Sequence, residues 1–148
     1  MVGGNSLTGT LPVIPSNSLS FFDCRNNSLG GTIPDSIFQF SASLRFLYLQ
    51  NNTFTGTIPP SFASAPLLRD LWLSNNQLSG TIPEVPATNL TFLDEFLVDG
   101  NNLSGSMPAS VCALRNQSLQ DLWADCAPPA EVLCDAPACC TRCFPENP

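Results

Sequence analysis

The apolar positions along the chain follow one short pattern that returns at nearly constant spacing. Each copy alternates apolar and variable residues in the form L-x-x-L-x-L-x-x-N, as at Leu44, Leu47, Leu49 and Asn52. Alternation with a period of two predicts a short, half-buried strand. Further copies end at Asn27, Asn76 and Asn101, and an incomplete copy at Leu119, Leu122 and Ala124 lacks the asparagine.

A second pattern, N-x-L-x-G-x-I-P, begins at each of these asparagines and once more near the start of the chain. Its copies begin at Asn5, Asn27, Asn52, Asn76 and Asn101, which are 22, 25, 24 and 25 positions apart. A regular period of this length predicts a solenoid of stacked repeats. We expect the asparagine amides to bond backbone groups that water cannot reach. We also expect short 3₁₀ or α turns in the return segments 35–43 and 109–118.

The combined unit resembles the plant-type leucine-rich repeat of receptor-like kinase ectodomains and polygalacturonase-inhibitor proteins. This resemblance implies an α/β-type repeat solenoid, a short curved arc with a parallel sheet on its concave face and short turns on its convex face. Members of this family seldom carry out chemistry and recognise other molecules on the concave face. The cysteine-rich segment at the C-terminal end is similar to the cap of leucine-rich-repeat proteins of diatoms and related algae.

The domain organisation predicted from these patterns has two parts. Residues 1–125 form about five repeats and a degenerate sixth, with the first one incomplete, and residues 126–148 form a cysteine-rich cap. Because the chain begins inside a repeat, we expect it to be the C-terminal part of a longer protein. The sequence has no apolar run of membrane-spanning length, so direct membrane insertion is not expected.

Cysteine usage indicates an oxidising compartment, and hence a secreted or cell-surface protein. Six of the seven cysteines cluster late in the chain, and three disulfides are expected among Cys112, Cys126, Cys134, Cys139, Cys140 and Cys143. Their connectivity is open. The rival interpretation is a zinc site at Cys139, Cys140 and Cys143, which the absence of histidine disfavours. Asn89 and Asn116 lie in sequons within variable segments and are the better candidates for N-glycosylation.

Charge excludes several classes of function. The net charge of −7, with only five basic residues, argues against nucleic acid and anionic membranes as partners. The chain has no histidine, so serine–histidine and cysteine–histidine pairs cannot form, and no catalytic residue is expected. We therefore predict a protein that is not an enzyme and that needs neither cofactor nor metal.

The variable positions of the strands are expected to face the concave surface and to bind a ligand. An aromatic and aliphatic stripe runs through the middle of this surface, and such residues anchor recognition. Arginines are concentrated in the early repeats and acids in the later ones, which favours a basic protein or peptide partner. The predicted ligand-binding residues are Tyr48, Trp72, Leu97, Trp123, Phe46, Asp70, Glu95, Asp99, Asp121, Asp125, Arg45 and Arg69.

Three other functions remain open from the sequence. Exposed tyrosine and tryptophan rings also stack on sugars, so a cell-wall polysaccharide is the first alternative to a protein partner. An open solenoid edge suits a structural subunit that docks into a larger assembly. A column of hydroxyl residues suits ice binding, although it also suits plain β-propensity. That column consists of Thr10, Thr32, Thr57, Thr81 and Ser106.

Overall fold

The computed structural model describes residues 4–13, 18–39, 42–86, 88–126, 132–134 and 139–144. Within these residues every strand pairing is parallel, and the four repeats that contain Asn27, Asn52, Asn76 and Asn101 each contribute one strand to each of two larger sheets. The predicted leucine-rich-repeat solenoid is confirmed. The chain beyond the described residues includes part of the predicted cap.

The concave sheet has six strands in the order β13-β11-β8-β6-β4-β2. The leucines of the L-x-L pattern point inward, and Leu47 and Leu71 are fully buried. The variable residues between them point outward, as the period of a strand requires. The strands are β2 (Phe21–Asp23), β4 (Phe46–Tyr48), β6 (Asp70–Trp72), β8 (Glu95–Leu97), β11 (Asp121–Asp125) and β13 (Arg142–Phe144).

A second parallel sheet, of five strands, lies directly after the asparagine turns, where only turns are expected from the repeat pattern. It forms because the N-x-L-x-G segment also alternates, with its leucine or phenylalanine buried and its serines and threonines exposed. Gly31 and Gly56 adopt positive φ in this sheet, and a Cβ there would approach Thr10 and Thr32 to 2.8 and 2.9 Å. The strands are β1 (Thr8–Thr10), β3 (Ser28–Thr32), β5 (Thr53–Gly56), β7 (Gln77–Gly80) and β9 (Asn102–Leu103).

The repeat asparagines form a continuous hydrogen-bonded ladder between the two sheets. The Asn52 side chain accepts a bond from the Leu29 amide (3.0 Å) and donates to the carbonyls of Cys24 (3.0 Å) and Leu49 (3.1 Å). The Leu49 carbonyl also accepts from the Asn76 side chain of the next repeat, at 3.1 Å. Each amide therefore satisfies backbone groups of its own repeat and of the preceding one, as predicted.

The return segments are short turns that complete the core. Helix α1 (Ser36–Gln39), a 3₁₀ turn (Pro60–Ser64), helix α2 (Ala109–Ala113) and a second 3₁₀ turn (Leu114–Asn116) lie on the convex side. Fully buried Phe62 packs between Phe38 and Phe96, with ring centroids 6.4 and 5.6 Å away. These turns agree with the predicted 3₁₀ and α segments, and none of the described helices has the length and apolar character needed to cross a membrane.

The cap extends the concave sheet and adds a separate two-stranded sheet at the C-terminal end. Strand β13 pairs with β11, and strand β12 (Val132–Leu133) pairs with β10 (Gly105–Ser106). Three disulfides tie these strands to the repeats and to one another. They join Cys112 to Cys139, Cys126 to Cys143, and Cys134 to Cys140.

Candidate ligand-binding surface

The concave sheet aligns the middle residue of each repeat into one row, which we call the central column: Asp23, Tyr48, Trp72, Leu97 and Trp123. Strand register places each member directly beside the next, as for Tyr48 beside Trp72 and Trp72 beside Leu97. The rings of Tyr48 and Trp72 stack with centroids 4.3 Å apart and planes 28° from parallel. The aromatic row therefore exists as a packed structure, with both rings half-buried.

A second row of side chains, the acidic column, runs beside the central column. It consists of Asp70, Glu95 and Asp121, which are aligned in register on β6, β8 and β11. Each of these carboxylates accepts a hydrogen bond from an aromatic of the central column. The Tyr48 hydroxyl donates to Asp70 (2.7 Å), the Trp72 indole to Glu95 (2.8 Å), and the Trp123 indole to Asp121 (3.2 Å).

Burial raises the pKa values of two carboxylates of the acidic column, Glu95 and Asp70. Burial raises the pKa of Glu95, and the neighbouring charges of Asp70, Asp121 and Asp94 raise it further, while the bond from Trp72 lowers it. Burial likewise raises the pKa of Asp70, and the Tyr48 hydroxyl opposes that shift. Burial also raises the pKa of Tyr48. The surface thus holds negative charge that its surroundings only partly compensate.

Three predicted binding residues are buried, with less of their surface open to a ligand than the alternation predicts. Leu97 is 8% exposed and forms the floor between two tryptophans, and Asp99 and Asp125 are each 9% exposed. Asp99 accepts a hydrogen bond from the Ser74 hydroxyl (2.5 Å), and Asp125 accepts one from the backbone amide of Asn101 (3.2 Å). Burial raises the pKa of Asp99, with a smaller contribution from Asp125, against the lowering effect of Ser74.

Two arginines contact the central column from its opposite ends. The Arg25 guanidinium lies 5.3 Å from the ring centroid of Tyr48 and 5.9 Å from that of Trp72, and it pairs with Asp23 at 3.4 Å. The Arg142 guanidinium lies 4.7 Å from the Trp123 centroid. Neither arginine was among the predicted binding residues. Arg25 occupies a variable position that the pattern marks, whereas Arg142 lies in the cap, where no repeat signal exists.

The other predicted residues lie away from the central column or at its margin. Phe46 is half-buried, and its ring centroid is 6.4 Å from that of Tyr48. Arg45 and Arg69 are exposed. Arg69 borders a separate polar cleft beside Asp94 and Arg115, at the edge of the sheet.

A cavity of about 490 Å³ opens on the concave face between Trp72 and Trp123. Leu97 lies between the two indoles, and Glu95, Asp99 and Asp121 supply carboxylates to the lining. Gln50, Ser74 and Asn75 complete it. The cavity unites predicted residues of both columns, and the three polar residues that complete it were not predicted.

The cysteines differ in chemistry from one part of the chain to the other. Buried Cys24 is free, and burial raises the pKa of its thiol to about 12, so it has little thiolate character at neutral pH. The sulfur atoms of Cys126, Cys134 and Cys140 lie within 4.8 Å of one another. Each of these three is in a disulfide, and a disulfide sulfur has no thiolate to offer a metal.

Comparison with known proteins agrees with this architecture. Three segments, 18–40, 43–65 and 67–88, match the family model of the leucine-rich repeat. These matches and the stacked parallel strands show that the chain is a leucine-rich-repeat solenoid with a cysteine-rich cap, so the resemblance drawn from the repeat pattern is confirmed. No curated protein sequence matches the chain.

Solved structures similar to the chain are plant leucine-rich-repeat ectodomains. The BIR2 ectodomain from Arabidopsis thaliana is 34% identical with a TM-score of 0.64, and the match covers 71% of this chain and 55% of that one. The Arabidopsis HAESA ectodomain, solved with a peptide hormone ligand, is 35% identical with a TM-score of 0.72, covering 80% and 20%. A chain of the Arabidopsis BIR3–SERK2 complex is 29% identical with a TM-score of 0.70, covering 91% and 72%.

The chain therefore spans about half of the BIR2 ectodomain and a fifth of the HAESA ectodomain. Its similarity to ectodomains that bind peptide or protein ligands supports a recognition module. The ectodomain neighbours and the three disulfides fit an extracytoplasmic location.

Proposed function

We propose that this chain is a non-catalytic recognition module of a secreted or cell-surface protein and binds a protein or peptide on its concave face. The observation that carries the proposal is the central column, where aromatics are packed in register beside a cavity lined by carboxylates. The HAESA ectodomain, solved with a peptide hormone ligand, supports a peptide as the class of partner. Residues 1–125 supply the binding face, and residues 126–148 cap it.

The acidic column favours a basic partner over a neutral one. Asp70, Glu95 and Asp121 are aligned along the face, and their mutual repulsion falls when a positive group approaches. Burial and repulsion together explain why the pKa of Glu95 is raised. A basic segment laid across β6, β8 and β11 would meet a carboxylate on every strand, which contributes specificity and speeds association.

The geometry gives less support to a polysaccharide. Sugar rings stack on aromatic faces that are open to solvent, but Tyr48 and Trp72 stack on each other. The Arg25 guanidinium also lies over both rings. A polysaccharide would have to displace these contacts before its rings could reach the faces of Tyr48 and Trp72.

The proposal is tested by affinity capture with three forms of the chain as baits. The wild type is compared with a Tyr48→Ala/Trp72→Ala/Trp123→Ala variant and with a control variant, Thr32→Ala/Thr57→Ala/Thr81→Ala. The control changes three exposed threonines outside the concave sheet. Circular dichroism and thermal melting first establish that all three baits are folded.

We expect one protein to be retained by the wild type and the threonine variant and lost by the aromatic variant. That protein is then purified, and its affinity for each bait is measured by calorimetry at two salt concentrations. Weaker binding at high salt is expected, since charge contributes to the contact. Equal capture by all three baits contradicts concave-face recognition and favours docking through the solenoid edge. Loss with the threonine variant alone contradicts it too, and assigns binding to the hydroxyl column.

A further inference from the structure

The cavity between Trp72 and Trp123 is a gap in the aromatic row. These tryptophans lie on strands two apart, and the residue between them in register is the aliphatic Leu97. Two strand spacings are roughly 9.6 Å, since neighbouring strands lie about 4.8 Å apart. A flat group in contact with an aromatic ring on each face needs about 7 to 8 Å. The strand spacing therefore leaves room for one planar group between the side chains of the two tryptophans.

The charges around this gap call for a cation. Glu95, Asp99 and Asp121 line the cavity. None of the described arginines lies within the 4.0 Å ion-pair distance of these three carboxylates. Each carboxylate accepts at least one hydrogen bond from the described residues, and a carboxylate has further acceptor sites for a donor that enters the gap.

The chain already holds guanidinium groups against the same column on both sides of the gap. Arg25 lies over Tyr48 and Trp72 while pairing with Asp23. Arg142 lies over Trp123 from strand β13, on the side of β11 that faces away from β8. A guanidinium over an aromatic ring of this column thus occurs twice, and at Arg25 it also pairs with a carboxylate. The gap offers aromatic rings and carboxylates without an arginine between its two indoles.

We propose that the cavity between Trp72 and Trp123 is a binding slot for one arginine side chain of the partner. The guanidinium lies between the two indoles above Leu97 and donates to Glu95 and Asp121. Its planar, five-donor shape suits both the narrow width and the paired carboxylates, whereas a lysine ammonium suits only the charge. This inference rests on the proposed function, because it gives the concave face a preference for an arginine-containing peptide.

The slot provides its own spectroscopic signal, because the only two tryptophans of the chain line it. We would titrate the wild type with the blocked tripeptide acetyl-Gly-Arg-Gly-amide and follow tryptophan fluorescence. The matched probes replace arginine by citrulline, which has the same shape without the charge, and by lysine. For a single side chain we expect a dissociation constant on the order of 1 mM, with citrulline and lysine at least about tenfold weaker.

Three variants separate the slot from general charge. Glu95→Gln/Asp121→Asn keeps the acceptors for both indoles but removes two charges, and we expect at least a tenfold loss of arginine-peptide affinity. Asp35→Asn is a control for charge outside the slot, since Asp35 is exposed on the convex side and accepts a bond from Ser61. It removes one charge, where the double variant removes two. Leu97→Tyr extends the aromatic row into the gap and should abolish binding without changing any charge. Thermal melting checks the folding of each variant.

The inference is overturned if citrulline or lysine binds as well as arginine, or if Asp35→Asn loses as much affinity as the double variant. Unchanged binding by a folded Leu97→Tyr variant also overturns it. Failure here is distinct from failure of the proposed function. If a captured partner requires the aromatics of the central column but binds the Glu95→Gln/Asp121→Asn variant as well as the wild type, concave-face recognition stands and the arginine slot fails. If the arginine peptide binds in the slot but no captured partner depends on the central column, the slot stands and the proposed function fails.

Discussion

Replacing Asn52 by alanine tests whether the asparagine ladder holds the solenoid together. The Asn52 side chain is buried and makes three hydrogen bonds of 3.0 to 3.1 Å to backbone groups of two repeats. The two carbonyls nearest to it each keep another donor, because the Asn27 side-chain amide reaches the Cys24 carbonyl (2.9 Å) and the Asn76 side-chain amide reaches the Leu49 carbonyl (3.1 Å). The substitution removes one bond from each of these two carbonyls.

The expected loss of stability follows from how many donors and acceptors the substitution leaves without their side-chain partner. The Leu29 amide loses its side-chain acceptor in a buried place, which costs about 1 to 3 kcal/mol. The two carbonyls lose a shared bond, worth about 0.5 to 1 kcal/mol each. We therefore expect Asn52→Ala to lower the free energy of unfolding by about 2 to 5 kcal/mol.

Urea unfolding followed by tryptophan fluorescence measures this loss. The control is Asn102→Ala, which changes an exposed asparagine of strand β9 and should cost less than about 0.5 kcal/mol. The slopes against urea must agree between wild type and variants for the free energies to be comparable. A loss at Asn52 no larger than the loss at Asn102 would refute the assignment of a structural role to the ladder.

Two further predictions concern pH and the cap. Because burial raises the pKa of Asp70, Glu95 and Asp99, the folded chain holds protons that the unfolded chain has already released. Their contribution to the free energy of unfolding therefore increases as pH falls from neutral through the raised pKa values, and levels off below the ordinary values of 3.8 and 4.5. Thermal melts at several pH values measure this dependence in the wild type and in a Glu95→Gln variant, whose response to pH should be smaller. Equal responses of the two proteins would contradict the prediction. Removing the Cys112–Cys139 disulfide by a double alanine substitution should lower the free energy of unfolding by about 3 to 4 kcal/mol, because it opens a loop with a sequence separation of 27. Urea unfolding compares this variant with the wild type under oxidising and under non-oxidising conditions. Equal stability of the two proteins in both conditions would show that the cap is not held by this bond.

The repeat pattern predicts the fold because each of its positions has one structural task. The L-x-L leucines are buried, the asparagines cap the backbone between sheets, and the return segments turn at the expected places. The second sheet is not predicted, because the asparagine, glycine and proline of N-x-L-x-G-x-I-P indicate only turns. The exposed hydroxyls that flank its buried leucine or phenylalanine, as at Thr53 and Thr55 around Phe54, are the available signal.

The cap was less predictable because it carries no repeat. Strand β13 holds Arg142, Cys143 and Phe144, and nothing in those three residues indicates that they extend the concave sheet. The disulfide pairing is also a tertiary property, since six cysteines in a short segment allow many connectivities. The same reason explains why Arg142 was missed as a neighbour of Trp123.

On the concave face the sequence predicts which way the side chains point more reliably than how deeply each one is buried. Alternation correctly predicts that Tyr48, Trp72 and Trp123 point away from the core, but it treats Leu97 and Asp99 as equally accessible. Both are buried, because an aliphatic side chain between two tryptophans and an acid bonded to Ser74 are covered by their neighbours. Assignment of these residues to ligand binding stays a prediction.

Specificity in a solenoid of this kind arises where one repeat departs from the others. Strict register turns each strand position into a row with a fixed spacing, so a single change of residue type in a row creates a gap or a bulge at a known place. In the central column that change is Leu97, and the acidic column supplies charge beside it through Glu95 and Asp121. The repeat framework therefore sets the width of the proposed slot, and Leu97 leaves it open because its side chain is smaller than the aromatic rings on either side.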